Sequence, residues 1–149
     1  MAVKLGLDAK LYRNTGTHAA PTWNEIVNVK DLTLSLDAGE ADVTTRGNNG
    51  WKATVATLKD AAVEFEMVWD GEDADFSAIR DAFLNRTAIQ FGVMDGDITG
   101  SGAQGLKAFC MVTSFTRNEA LEEAITVSVK IKPTYRTVPA EAPSWLIVP

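Results

Sequence analysis

Cysteine and histidine are almost absent from this chain, with Cys110 and His18 the only ones in 149 residues. A single thiol excludes an internal disulfide, and two such residues fall short of the several Cys or His that a zinc site uses. The pair is also badly placed for nucleophilic catalysis. His18 sits in a polar stretch and Cys110 in an apolar one, where a thiolate is disfavoured. Positive charge is scarce as well: 14 Lys and Arg stand against 20 Asp and Glu, a formal net charge of −6. Tight binding to a nucleic-acid backbone draws on clustered cations, so that class of function is disfavoured. No apolar run approaches the ~20 residues that span a bilayer. Residues 1–7 have no apolar signal core, which predicts synthesis in a reducing cytoplasm. The Asn85-Arg86-Thr87 sequon is then not expected to be glycosylated. At 46% hydrophobic composition, the chain has material for one ordinary core, and neither repeats nor low-complexity blocks divide it.

What is present reads mainly as strand. Residues 8–13 suggest a short first strand, followed by a loop over 14–24 with Gly16 and Pro21. From Glu25 to Asp37 the apolar residues change parity, with Val27 and Val29 at odd positions and Leu32, Leu34 and Leu36 at even ones. An extra residue near Lys30-Asp31 is therefore predicted. Over 61–70 the alternation is clean: Ala61, Val63, Phe65, Met67 and Trp69 share one face, Glu64 and Glu66 the other. One helix is signalled, capped by Asp73 or Asp75, with Phe76, Ile79, Ala82 and Phe83 as an apolar stripe and Asn85-Arg86 closing it. Strands follow at 88–94 and 106–115. In the latter, Leu106, Ala108, Cys110 and Val112 fall on one face and Phe109, Met111 and Phe115 on the other, so it is expected to be covered on both. After a turn at Arg117-Asn118-Glu119, Ile125, Val127, Val129 and Ile131 alternate with polar residues. From Pro133 the pattern stops, and four prolines predict an extended arm ending in Trp145, Leu146, Ile147 and Val148. The fold class is thus mainly β: an antiparallel sandwich or barrel over residues 1–132, one flanking helix, a long projecting loop, and a C-terminal arm at 133–149.

Three patterns invite a chemical reading. Gly100-Ser101-Gly102-Ala103-Gln104-Gly105 matches G-x-G-x-x-G, yet a strand-like segment follows it, which offers no helix N-terminus to a pyrophosphate. A hairpin loop fits better. The acidic runs at 70–75 and 95–97 lack calcium-loop spacing, since Asp75 stands where glycine is needed and Leu106 where glutamate is needed. Solvated loops and a helix cap explain them. Trp23, Trp51 and Trp145 lie near loops or the tail and are candidate contact residues. No cofactor is expected.

The centre of the chain is Thr44, Thr45, Arg46, Gly47, Asn48, Asn49, Gly50 and Trp51, a stretch tolerant of left-handed backbone between two β-rich segments, 41–45 and 51–57. It offers amides, hydroxyls and one Arg but neither base nor nucleophile, and so suits grasping better than catalysis. Glu40-Ala41-Asp42-Val43-Thr44-Thr45-Arg46, Gly50-Trp51 and residues 61–70 resemble the major tail tube proteins of tailed phages and related tail-like particles. The similarity runs from Lys4 to Tyr135. The resemblance implies a non-enzymatic subunit forming stacked hexameric rings, a hollow tube in a virion tail that DNA crosses without specific binding. It also implies other tail proteins as partners and no membrane. The residues at 44–51 would grip a neighbouring subunit, and Trp145, Leu146, Ile147 and Val148 would dock on the same or an adjacent one. Glu64 and Glu66, or Asp95 and Asp97, are candidate acids of the tube lumen, with pairing of both glutamates to Lys130 and Lys132 as the bland account. Two alternatives remain: a tube of a secretion system or contractile injection particle, and a monomeric β-sandwich that binds a ligand.

Overall fold

The computed structural model describes residues 3–137 and 139–149. Met1, Ala2 and Val138, which fall within the two segments drawn from sequence, lie outside the described residues. The strands are β1 (Lys10–Asn14), β2 (Trp23–Glu25), β3 (Val29–Asp42), β4 (Thr54–Val68), β5 (Ala88–Met94), β6 (Gln104–Asn118), β7 (Thr126–Thr134), β8 (Arg136–Thr137), β9 (Ala140–Glu141) and β10 (Ser144–Ile147), with helix α1 (Ala74–Asn85) between β4 and β5. The main sheet is antiparallel in the order β2-β1-β5-β6-β7-β4-β3, with β10 also paired to β6. Leu11 of β1 and Phe65 of β4, from distant places in that order, share one buried cluster with Phe76 and Ile79 of α1. The sheet therefore folds over its own core, as a sandwich closed by a helix.

Local chemistry accounts for the helix and the first bulge. Asp73 caps α1 by accepting from the Phe76 N–H at 3.2 Å, and Arg86 ends it in the left-handed region at φ 56°. One residue inside the helix is tied to the sheet. The buried Asp75 carboxylate accepts from Arg13 Nε and Asn24 Nδ2, each at 2.8 Å, fixing the first turn against β1 and β2. In β3 the pairing slips between Val29 and Leu32, where the parity change falls. In β4, Ala61, Val63, Phe65 and Met67 are buried as their alternation predicts.

Three expectations are corrected. The strand buried on both faces is β5, where Phe91 and Val93 enter the main core while Met94 joins Tyr12, Ile98 and Ala103 in a second cluster on the opposite side. Lys107, Phe109 and Met111 of β6 are only half-buried. Phe115 does not share their face: a bulge between Val112 and Ser114 turns it into the core, 5.9 Å from the Phe76 ring and 6.3 Å from the Phe83 ring. Third, Pro133 does not stop β7, which continues to Thr134. Pairing with β4 ends at Ile131, so Pro133 stands at a free edge, where a missing N–H is tolerated. The last glycine of the Gly-rich run is explained by packing too, because a Cβ on Gly105 would collide with the Val93 carbonyl.

Candidate assembly surface

The longest feature of the molecule is the β3–β4 hairpin, paired from Val29↔Met67 to Asp42↔Thr54. Strand β7 supports β4 only as far as Val63↔Ile131. Beyond that point, residues 35–42 and 54–60 form a two-stranded ribbon that is exposed throughout except at the half-buried Ala41. Leu36, Val55 and Leu58 are exposed on it, Leu58 at 86%. An isolated ribbon is at best marginally stable in water, and apolar side chains along it make a surface that another chain can cover. Parity had grouped Leu36 with Leu32 and Leu34, which are half-buried. The strand outruns the core before reaching Leu36.

The tip holds the residues singled out at 44–51, and its order is internal. Thr45 N–H donates to Asn48 Oδ1 at 2.6 Å, and the Asn48 N–H in turn bonds the Thr45 side chain, a reciprocal capping pair around the turn Arg46–Asn48. Thr44 Oγ1 accepts from the Ala53 N–H at 2.8 Å. Asp42 Oδ1 accepts from the Thr44 N–H at 2.9 Å, and hydrogen bonds from the Thr44 side chain and backbone hold that carboxyl below the usual range. Asn49 and Gly50 take positive φ, 55° and 85°, which their residue types tolerate. The strand expected from Trp51 begins instead at Thr54; Trp51, Lys52 and Ala53 complete the loop. Trp51 is 79% exposed. The self-braced tip thus presents an indole to water.

The arm returns to its own sheet. Ser144 to Ile147 pair with Lys107 to Gln104, and Trp145 Nε1 donates to Gln104 Oε1 at 3.0 Å. The four arm residues separate by face: Leu146 and Val148 pack on the cluster of Tyr12, Met94 and Ile98, while Trp145 and Ile147 are exposed. Upstream, Glu141 of β9 fastens the arm to the rest, with His18 Nδ1 at 2.8 Å and Lys107 Nζ at 3.8 Å. Trp23, the third candidate contact tryptophan, is half-buried against the second cluster.

The candidate acids fall into two groups. Glu64 faces Lys130 across β4 and β7, with Oε1 to Nζ at 3.6 Å. Glu66 stands opposite Ser128, and Lys132 pairs with Asp60 at 3.0 Å. The bland account thus holds for one glutamate and fails for the other. Glu64 and Glu66 line a groove of about 340 Å³ with Asp31, Thr33, Phe65, Ser128, Val129 and Lys130. Asp95 and Asp97 shape the turn between β5 and β6. Asp95 Oδ1 accepts from the Gln104 N–H at 3.0 Å; Asp97 Oδ1 accepts from the Thr99 N–H and hydroxyl at 2.9 and 2.8 Å. Those Thr99 bonds, backbone first, lower the Asp97 pKa.

For reaction chemistry the arrangement offers little. Burial pushes the Cys110 thiol up to about 12, and His18 is engaged with Glu141 rather than with Cys110. Among the described residues, no group of three or more His, Cys, Asp or Glu is arranged to hold a metal, and no helix is long and apolar enough to cross a membrane. The β-core projects a ribbon whose apolar side chains Leu36, Val55 and Leu58 are exposed. The family model for the phage tail tube protein matches residues 8–134, and the chain belongs to that family: it is a tail tube subunit. Solved structures repeat the fold. A chain of the tail of an empty gene transfer agent particle, refined with helical C6 symmetry, superposes with a TM-score of 0.74 at 18% identity, covering 97% of this chain and 99% of that one. The SPP1 tail tube gives 0.72 at 16% identity, covering 97% and 81%. A chain of an extracellular contractile injection system, from a sheath–tube complex in the extended state, gives 0.63 at 9% identity, covering 98% and 93%. No curated protein matches the chain in sequence.

Proposed function

We propose that copies of this chain close into six-membered rings that stack as a hollow tube, and that DNA leaves the particle through its lumen. The observation that carries this reading is the distal β3–β4 ribbon, exposed on both faces and tipped by an internally hydrogen-bonded loop. Such a ribbon gains its burial from a neighbour, and head-to-tail contacts of that kind close rings or extend filaments. The number six follows the symmetry of the gene transfer agent tail. In this reading residues 44–51 grip an adjacent subunit, Trp145 and Ile147 add a second contact, and other tail proteins cap the tube. The subunit works by assembly and not by catalysis, in the tail of a particle made in the host cytoplasm, with no membrane stage.

The groove side of β4 and β7 is assigned to the lumen. Its outward residues are hydrophilic, and six chains at −6 each carry roughly −36 per ring, a field that keeps phosphates from adhering. Negative-stain microscopy of purified protein at rising concentration is expected to show rings or tubes; a strictly monodisperse monomer by light scattering would favour a ligand-binding module instead. Changing Glu64 and Glu66 together to Lys is expected to leave assembly intact and to make preformed tubes retain DNA at low salt. Retention equal to the parent would remove this face from the channel.

A further inference from the structure

The two ends of the β3–β4 hairpin differ in shape and in charge. At the tip, residues 43–53 carry Arg46 and Lys52 and no acid, and Trp51 stands 79% exposed. Thirteen residue steps away along β3, about 43 Å at strand rise, lies a cavity of about 340 Å³. Ile26, Val93 and Met94 are buried at its floor, and Lys10, Glu25 and Lys30 also line it. Leu7 and Val27 stand on its wall, exposed at 91% and 74%. The neighbouring loops at this end are acidic. Residues 69–73 hold Asp70, Glu72 and Asp73, and residues 119–123 hold Glu119, Glu122 and Glu123. They are joined to the cavity wall: the Val68 N–H donates to the Asn28 carbonyl at 3.0 Å, Asn28 Nδ2 donates to Asp73 Oδ2 at 3.2 Å, and the Trp69 N–H donates to the Ile125 carbonyl at 2.9 Å.

The geometry points to this cavity as the socket for Trp51 of a second copy of the chain. The assignment rests on the reading that the tip grips a neighbour, and it names where the tip lands. A knob and a socket at opposite ends of one hairpin make a heterologous contact, which repeats along a line by translation. The cavity lies in the size range of sites that enclose an organic group, and an aromatic anchor in a desolvated pocket is the usual centre of such an interface. Charge agrees on both sides of the indole. Arg46 and Lys52 meet the acidic loops, and Lys30, a cavity residue beside the Lys10–Glu25 pair at 3.6 Å, meets Glu40 and Asp42 below the tip. Long-range attraction between the two ends orients subunits head to tail before contact.

The test uses full-length chains. Trp51→Ala, and separately Val27→Glu on the cavity wall, are expected to raise the protein concentration needed for tubes at least about tenfold, with circular dichroism and melting temperature unchanged because both side chains are exposed. Trp51→Phe is expected to retain part of the loss. Lys52→Cys chains mixed with Val27→Cys chains and mildly oxidised are expected to give a cross-linked dimer that neither variant gives alone. Assembly of Trp51→Ala at the parental concentration, or no extra cross-link in the mixture, overturns the socket. A control replaces residues 44–50 by a short Gly-Ser turn. Tubes that vanish in the control while Trp51→Ala and Val27→Glu assemble normally mean that the tip docks elsewhere; tubes that persist without the tip overturn the underlying reading as well.

Discussion

In both the near and the far half of the hairpin β3 pairs antiparallel with β4, yet the two halves live in different surroundings. In the near half, Val63, Phe65 and Met67 are almost wholly buried, because β7 flanks β4 and the core lies beneath. In the far half, Leu36, Val55 and Leu58 meet water, because the pairing of β4 with β7 stops at Val63↔Ile131. Alternation of side chains specifies which residues share a face of a strand. It does not specify that anything covers that face. The difference separates the residues that hold the subunit together from those available to hold subunits to one another.

The largest expected effect breaks the near half. Met67→Ala is expected to destabilise the monomer by about 2–5 kcal/mol, the usual cost of a cavity in a closed core, read as a fall in the urea midpoint. Leu58→Ala in the far half is expected to cost the monomer under about 0.5 kcal/mol and to impair tube formation instead. Equal destabilisation by both would erase the distinction between the halves.

A smaller effect concerns the arm, which combines both behaviours in one strand. Deleting residues 144–149 removes Leu146 and Val148 from the second cluster, and full burial of such side chains is worth roughly 1.5–3 kcal/mol each. Both are half-buried, so a loss of about 2 kcal/mol in monomer stability is expected. Trp145→Ser with Ile147→Ser removes only the exposed pair and is expected to leave stability unchanged while weakening assembly.

The smallest effect lies at the boundary of the halves, where Lys132 of β7 reaches Asp60 of β4. The Lys132 side-chain hydrogen bond, then the backbone bond from Ala61, lower the Asp60 pKa below 3.8. A depressed folded pKa contributes stability above the unfolded value, and that contribution is lost as pH falls through the folded one. Asp60→Asn is therefore expected to lower the urea midpoint slightly at neutral pH. The difference from the parent should vanish once the pH has dropped past the lowered value. A difference that persists in acid would assign the effect to packing.

Much of the fold was legible because it is written in local rules. The parity change at Lys30-Asp31 needs an extra residue whatever the rest of the chain does, and the slip between Val29 and Leu32 supplies it. Asp73 caps a helix because its carboxylate satisfies a free N–H close to it in the chain. The bulge beside Thr113 was illegible, since every residue from Leu106 to Phe115 suits an unbroken strand. The Thr113 hydroxyl donates to the Lys130 carbonyl at 3.2 Å, a contact with a distant strand. Of the candidate assembly surface, the projecting tip and its Trp51 were legible from composition. The exposed ribbon, with Leu36, Val55 and Leu58, was not, because its exposure depends on where the pairing of β4 with β7 stops.

By itself the sequence determined the core strands other than β2 and those of the arm, the single helix, the turn at 44–51 and the acidic balance, all consequences of period, capping and residue type within a few positions. Only the tertiary structure decided that β5 is the strand buried on both faces, that Pro133 is tolerated at an edge, that the arm docks through Leu146 and Val148, and that half of the longest hairpin has no cover. Those outcomes depend on which segments, distant along the chain, compete for the same apolar surface, and a limited core leaves the remaining ribbon in water.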